Sequence, residues 1–281
     1  MTRLVENKIF DEERSLYNLE NATVKNCLFA GPADGESVLK EARGVVVENC
    51  SFSLRYPLWH VKKYELINST LDELTRAPLW YSCSGKIINC KITGVKCLRE
   101  CDDTLIEKSE IISPEFGWRC RNLTVHNSKI ESEYLLFECK NVNIKNLQMK
   151  GKYSFQYTEN LVIEDSFLDT KDAFWHCDNV TVRNCTVKGE YLGWYSKRLT
   201  LINCKIIGTQ PLCYCENLTL IDCTMENTDF SFEYSQVNAT VNGNILSVKN
   251  PASGRIVAES IGEIILEDSL IKTNCEIETL K

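Results

Sequence analysis

The sequence predicts an all-β fold, a right-handed parallel β-helix in which the chain completes one coil about every 19 residues. The main observation is a recurring unit: apolar, any, apolar, any, Asn or Asp, Cys or Ser, any, apolar. The second is its constant spacing, because the position after the Asn or Asp returns seven times in succession at that same interval. These positions are Cys90, Ser109, Ser128, Leu147, Ser166, Cys185, Cys204 and Cys223.

The units themselves read as β-strands. Apolar and β-branched residues alternate within them, as in Val180 and Val182, which would face one side of a strand. Helical repeats need about 34 residues or more. Left-handed solenoids are built on hexapeptides, and the interval is not a multiple of six, which favours the right-handed form. We expect about 13 coils of three short strands each, in one domain over residues 1–281. Within it, 1–18 form an N-terminal cap, 19–246 the regular coils, and 247–281 an irregular last coil and cap.

A column of Asn and Asp predicts a sharp corner in each coil, because these residues tolerate the left-handed backbone region and their amides can bond from coil to coil. Lys108 interrupts this column. Its members are Asn26, Asn49, Asn68, Asn89, Asn127, Asn146, Asp165, Asn184, Asn203, Asp222 and Asp268. A second set predicts another corner: Asp103, Asn122, Asn141, Asn160, Asn179 and Asn217.

A third strand is predicted eight residues before each of the positions that follow the first corner. Its inward column contains small residues, namely Cys101, Cys120, Cys139, Thr158, Cys177, Ser196 and Cys215. Two places earlier, a mainly aromatic column is expected to fill one corner of the core: Trp59, Trp80, Trp118, Phe137, Trp175, Trp194, Cys213 and Phe232. Arg99 and Gln156 interrupt it, which predicts a bulge or one-residue slip there, with Leu98 and Phe155 turned inward instead.

On these recurring units the sequence resembles the pectin-lyase-like superfamily of right-handed parallel β-helices, over nearly its whole length. It is most similar to an uncharacterised bacterial domain-of-unknown-function family with short coils. The resemblance implies the fold. It does not imply one activity, because the superfamily includes lyases, hydrolases, epimerases and inert solenoids.

Between the two columns of the third strand lies a column that should face outward, the outward stripe. Consecutive members are about 4.8 Å apart, so the stripe would be about 45 Å long. It contains His60, Tyr81, Glu100, Arg119, Glu138, Tyr157, His176, Tyr195, Tyr214 and Glu233. In the resembled superfamily the substrate groove commonly lies on this face, so the stripe is the candidate site.

Two interpretations of the stripe remain open. In the functional one, Tyr157, His176, Tyr195 and Tyr214 form a platform for sugar rings, and His60, Tyr81 and Glu233 add substrate contacts. Its candidate catalytic residues are Glu100, Arg119, Glu138 and His176, although two flanking glutamates would hold Arg119 protonated and unsuited as a base. In the other interpretation these side chains only stabilise the ladder by cross-strand pairing.

The amino-acid composition restricts the classes of partner and cofactor that the protein is expected to bind. The net charge of −7 disfavours nucleic acid and anionic membranes, and no apolar stretch long enough to span a membrane occurs. Without an export signal, a cytoplasmic location and free thiols are expected for the 15 cysteines. Dispersed histidines and the lack of C-x-x-C predict no metal site, and no cofactor motif is present. The oligomeric state is left open.

Two functions follow. The first is a non-catalytic solenoid that binds a polysaccharide, a glycoconjugate or a protein partner through the stripe. The second is a carbohydrate-active enzyme, a lyase or glycoside hydrolase, on the same face. Coils this short leave no long loops to wall an active cleft, which favours the first. Only GPADGE (31–36) and NPASG (250–254) are expected to cover the stripe's ends.

Overall fold

The computed structural model describes residues 3–31 and 36–280, so most of the GPADGE loop lies outside the described residues. The described part consists of strands and turns and contains no helix. About 14 turns of about 19 residues confirm the predicted all-β parallel solenoid. The chain divides into two compact units, Met1–Asn143 and Ile144–Lys281. The single domain stays a prediction.

The strands are short and regularly spaced. The first unit contains β1 (Arg3–Glu6), β2 (Ile9–Phe10), β3 (Glu20–Lys25), β4 (Leu28–Ala30), β5 (Arg43–Glu48), β6 (Ser51–Ser53), β7 (Lys62–Ile67), β8 (Thr70–Leu71), β9 (Cys83–Ile88), β10 (Lys91–Ile92), β11 (Cys97–Arg99), β12 (Asp102–Glu107), β13 (Glu110–Ile112), β14 (Glu115–Trp118), β15 (Arg121–His126) and β16 (Lys129–Leu135). The unit boundary falls in β17 (Lys140–Lys145). The second unit contains β18 (Gln148–Lys152), β19 (Glu159–Glu164), β20 (Phe167–Lys171), β21 (Asp178–Arg183), β22 (Thr186–Lys188), β23 (Lys197–Ile202), β24 (Lys205–Ile207), β25 (Leu218–Glu226), β26 (Gln236–Lys249), β27 (Ser253–Ile265) and β28 (Asn274–Thr279).

Each coil has three faces. Face one is a parallel ladder of six-residue strands, for example β5, β7 and β9 in the first unit and β19, β21 and β23 in the second. Face two is a parallel ladder of shorter strands, such as β20, β22 and β24. The register is fixed by burial: Val180 pairs with Leu199 and both point into the core.

The predicted Asn corner joins face one to face two and is confirmed. Its residues from Asn26 to Asp222 have φ near +50°, and Lys108, with φ of 50°, adopts the same conformation. Asp268 also has φ of 50°, but it follows the end of β27 and lies outside this corner, so its place in the column was predicted wrongly. Amides bond between coils, as where Asn203 Nδ2 donates to Asn184 Oδ1 over 3.0 Å. The second Asn set is also left-handed. Except for Asn217, which directly precedes β25, its members are the second residues of face-one strands, and Asn122 Nδ2 donates to Asp103 Oδ1 over 2.8 Å.

Face three differs from the prediction of a third strand in every coil. Among the described residues it is extended at β11, at β14 and at the end of β16, where Tyr134 and Leu135 pair with Glu115 and Phe116, and in most other coils it is a turn. In the coil of His60, residues Tyr56, Leu58 and His60 have φ of 59°, 60° and 56° and alternate with residues of ordinary φ. Neighbouring coils are bonded in both directions, since Leu58 N–H donates backward to Val38 O and His60 N–H donates forward to Trp80 O. Such a backbone is not pleated, so the two-residue strand period does not apply.

This backbone corrects the predicted aromatic core column. The Trp side chains are half-buried, and the residue before each of them is buried instead. Cys213 and Phe232 of the predicted column are buried as expected. The buried column contains Leu58, Leu79, Leu98 and Leu136 in the first unit, and Phe155, Phe174, Leu212 and Phe232 in the second. The small inward column was predicted correctly and is fully buried from Cys101 to Cys215 within each unit.

The predicted bulge at Arg99 and Gln156 does not occur. Arg99 lies between the indoles of Trp80 and Trp118, 4.5 and 4.8 Å from their centroids. Gln156 replaces an indole donor, because its Nε2 bonds Asp172 O over 2.9 Å just as Trp175 Nε1 bonds Tyr191 O over 2.6 Å. Leu98 and Phe155 point inward as predicted, in register with their neighbours.

Both ends of the chain are more regular than expected. The described part of the predicted N-terminal cap, residues 3–18, contains β1 and β2, which pair with β3 and β4 and flank a left-handed Asn7, so these strands form a coil. Residues 247–281, expected to be irregular, belong largely to β26, β27 and β28. In β26 the register shifts between Val241 and Asn244, where Gly243 has φ of 90°, a conformation that glycine adopts without steric cost.

Candidate functional site

The outward stripe lies on face three and consists of the left-handed residue two places after the buried one, as His60 follows Leu58. Its members have φ between 52° and 60°, Glu233 excepted. Apart from Glu138 and Glu233, each donates its backbone N–H to the next coil of its unit, as Arg119 does to Phe137 O over 2.8 Å. The backbone therefore fixes each outward side chain at the spacing of the coils.

In the first unit the stripe begins with stacked rings and continues with charged groups. The rings of His60 and Tyr81 have centroids 5.0 Å apart. Arg119 Nε lies 2.7 Å from Glu138 Oε2, and Arg119 Nη1 lies 4.0 Å from Glu100 Oε1. The hydrogen bond to Glu138 raises the pKa of the Arg119 guanidinium above its ordinary value. The structure thus brings together three of the four candidate catalytic residues.

These charged residues line the polar depression, a shallow concavity of about 520 Å³. Its lining is Tyr81, Glu100, Arg119, Arg121, Glu138 and Lys140. Arg121 Nε is itself paired with Asp102 Oδ1 at 3.1 Å. With the Arg119 side chain 57% exposed, these ion pairs are well solvated and the depression does not exclude water.

In the second unit the stripe becomes an aromatic ladder, defined as Tyr157, His176, Tyr195, Tyr214 and Tyr234. Successive ring centroids are 4.9, 5.0, 4.8 and 5.7 Å apart. The first three pairs are nearly parallel, with interplanar angles of 12°, 7° and 15°. Partial burial raises the pKa of the Tyr214 hydroxyl.

The stacking determines which atoms a ligand can reach. The ring faces of His176 and Tyr195 are covered by their neighbours in the ladder. The exposed parts of His176 and Tyr195 are therefore their ring edges, whereas the Tyr234 hydroxyl accepts a hydrogen bond from Leu270 N–H over 3.2 Å. The ladder therefore offers a row of hydrogen-bonding edges and does not offer the flat platform for sugar rings that the sequence suggested.

Glu233 does not lie in the stripe, which corrects the sequence register. The coil that begins at Tyr214 contains one residue more than the coils before it, so Tyr234 occupies the stripe position and stacks on Tyr214. Glu233 is only 14% exposed and pairs with Lys249 Nζ at 2.9 Å. One inserted residue is enough for this shift, because the stripe is a single column.

Sequence reasoning missed several members of the site. Asn18 and Glu41 occupy stripe positions in the first unit, since Glu41 N–H donates to Trp59 O as His60 N–H donates to Trp80 O. Counting nine residues back from Cys27 and Cys50 would have found both. No such signal marks Arg121 and Lys140 of the polar depression.

Two features are absent from the described part of the chain. Within 3–31 and 36–280, no group of three His, Cys, Asp or Glu side chains is arranged to hold a metal ion. Over the same residues, no helix has the length and apolar character to cross a membrane.

The fold and the stripe define the class: a short-coil parallel β-solenoid with an outward column of polar and aromatic side chains. A family model described as "Protein of unknown function (DUF3737)" matches residues 3–278, so the chain belongs to that family. This confirms the membership in a domain-of-unknown-function family that the sequence predicted. None of the curated proteins matches the chain.

Among solved structures, the chain is similar to PfbA, a surface adhesin of Streptococcus pneumoniae, at 7% identity and TM-score 0.46, over 85% of this chain and 83% of that one. It is similar to the periplasmic alginate epimerase AlgG at 8% identity and TM-score 0.33, over 94% of this chain and 73% of that one. A third similar structure is the A-module of the Azotobacter vinelandii mannuronan C-5 epimerase AlgE4, at 8% identity and TM-score 0.29, over 97% of this chain and 86% of that one. Likenesses this distant carry no argument about function.

Proposed function

We propose that the protein is a non-catalytic binding solenoid that holds a carbohydrate along the aromatic ladder of its second unit. One observation supports this most: five consecutive coils present an aromatic ring outward, at nearly constant spacing. Tyrosine hydroxyls and imidazole nitrogens act as both donors and acceptors, which suits the hydroxyl groups of sugars.

The polar depression supports binding better than catalysis. Glu100 and Glu138 both contact the same exposed guanidinium, so both carboxylates are engaged in solvated ion pairs. Solvation of the ion pairs would also weaken any electrostatic stabilisation of a transition state. A cytoplasmic location and a bacterial origin stay predictions.

The test uses a panel of neutral, uronate-containing and amino-sugar polysaccharides in a direct binding assay. We expect Tyr195→Ala to weaken the affinity for the bound member about tenfold, and Tyr195→Phe to weaken it about three- to tenfold, since each lost hydroxyl bond is worth about 0.5–1.5 kcal/mol. Phe167→Ala is the matched control, because Phe167 is 45% exposed on face two of the same unit, against 42% for Tyr195.

Failure of every polysaccharide to bind would refute the carbohydrate assignment and leave a protein partner. A bound glycan that is turned over, with turnover lost in Glu138→Gln but binding kept, would instead assign an enzyme at the polar depression. Equal effects of Tyr195→Ala and Phe167→Ala would place the ligand elsewhere.

A further inference from the structure

Strands β25 and β26 separate where the chain passes from face one to face two of the second unit. On face one they are in register, as where Leu220 pairs with Ala239. The next pair, Cys223 with Val241, is one residue out of step, and it is the last pair that the two strands form within the described residues. On face two, β24 is still paired with β25, and β26 with β27. The ladder of face two is therefore interrupted between β25 and β26.

A cavity of about 520 Å³ lies at this interruption, here called the face-two cavity, and is lined mainly by the end of β25 and the middle of β26. Its volume is in the range of small-ligand sites, about 300–1,000 Å³. Gly243 in its wall has φ of 90°. A Cβ on Gly243 would have no heavy atom of the described residues within 4 Å, apart from those of its chain neighbours. The space next to this glycine is therefore open to a ligand.

Three asparagine amides line the cavity with hydrogen-bonding groups that the fold does not use. Among the described residues, neither Asn227 nor Asn242 makes a side-chain hydrogen bond. Asn244 uses its Oδ1 as the acceptor for Ser260 Oγ over 3.0 Å, which leaves its Nδ2 to donate. The corner amides of the regular coils, in contrast, bond from coil to coil. The cavity therefore presents amide donors and acceptors to a ligand.

The rest of the lining is electrically neutral and partly apolar. Lys205 Nζ lies 2.6 Å from Glu226 Oε2, so these two charges compensate each other. Leu246, which is exposed, and Met225, which is nearly buried, add apolar surface. The cavity thus combines unused amides, compensated charge and an apolar contact.

We propose that the face-two cavity binds an uncharged sugar residue. The nitrogen and oxygen of one amide can bond two neighbouring hydroxyl groups, and the C–H groups of a sugar ring can cover Leu246. A uronate carboxylate would meet Glu226 in the same cavity and would compete with it for Lys205. The site is separate from the aromatic ladder, which lies on face three, and does not depend on the function proposed for that ladder.

The first test is an NMR titration of isotope-labelled protein with glucose, galactose and mannose, each compared with its own uronate. We expect at least one neutral sugar to shift the side-chain amide signals of Asn227 and Asn242 and to bind more tightly than its uronate. The amide signal of Asn143, which is exposed in β17, should stay unchanged. The proposal is wrong if no neutral sugar shifts these signals or if the uronates bind more tightly.

The second test uses variants that separate the cavity from the ladder. Asn242→Ala should weaken binding of that sugar about tenfold, since it removes a donor and an acceptor. Its urea midpoint should match the wild-type value, because the Asn242 side chain makes no hydrogen bond among the described residues. Asn238→Ala is the matched control with unchanged binding, because Asn238 is exposed in the same strand but pairs with Thr219 on face one.

Two results with these variants would overturn the proposal. The first is an equal loss of affinity in Asn242→Ala and Asn238→Ala. The second is binding that is lost in Tyr195→Ala but kept in Asn242→Ala, which would assign the sugar to the aromatic ladder.

Discussion

Single residues in left-handed conformation set the geometry of every coil. For non-glycine residues this conformation costs roughly 1–2 kcal/mol, and Asn or Asp lowers that cost by local hydrogen bonding. Asn89 and Asn203 occupy such corners with φ of 52° and 50°. Lys108 adopts the same conformation, with φ of 50°, without an amide. Its side chain pairs with Glu107 at 3.7 Å on the surface, a contact of little value.

Lys108→Asn should therefore stabilise the protein, by about 1 kcal/mol, through easier left-handed geometry and amide bonding between coils. Urea unfolding would show this as a higher midpoint. Lys91→Asn is the control, because Lys91 is an exposed lysine in strand β10 with ordinary φ, where Asn is disfavoured. A Lys108→Asn midpoint at or below the wild-type value would refute the explanation.

At the scale of elements, one pair of strands shows how the core is filled. Tyr64 of β7 is fully buried and pairs directly with Gly85 of β9. A Cβ on Gly85 would lie 2.1 Å from Tyr64 Cζ. The Tyr64 ring therefore occupies the space that a side chain in the next coil would need, and the two positions are coupled.

Gly85→Ala should destabilise the first unit by about 1–3 kcal/mol through overpacking. Tyr64→Leu should also destabilise it, because it leaves a cavity. Combined, the two changes should cost less than the sum of the single effects, since the alanine methyl enters the vacated space. Denaturant unfolding of all four proteins gives the coupling energy, and strict additivity would contradict direct contact.

At the scale of the molecule, buried thiols link stability to pH in both units. Burial raises the pKa of Cys90 in the first unit and of Cys215 in the second from 9.0 to about 11. The unfolded chain loses these protons first as the pH rises above 9, so the stability they contribute is complete below pH 9 and lost towards pH 11.

Between pH 8 and pH 10 we expect each such thiol to reduce the free energy of unfolding by about 1.4 kcal/mol. Urea midpoints measured under reducing conditions would report the loss. Cys90→Ser should show a smaller decrease over this range than the wild-type chain, whatever its stability at pH 8. Parallel pH profiles for the two proteins would disprove the linkage.

Much of the fold can be predicted from particular residues of the repeating unit. The Asn-Cys or Asn-Ser units predicted the corner at Asn184, the inward Cys185 and the pairing of Val180 with Leu199, because they repeat at a constant interval. The stripe from His60 to Tyr214 was predicted by counting from those units. The rule that every second residue of a strand faces the same side predicted Trp59 to point inward. That prediction was wrong, and Leu58 points inward instead, because the rule assumes a pleated strand.

By itself the sequence determined the coil period, the parallel pairing, the corners and the family, since these depend on a local pattern that each coil repeats. Only the tertiary structure decided that face three is a ladder of alternating left-handed turns, which turns the indoles half outward and the leucines in. It also placed Tyr234 in the ladder in place of Glu233, and covered the ring faces of His176 and Tyr195 with those of their neighbours. These features depend on backbone handedness and contacts between coils, which the sequence of no single coil contains.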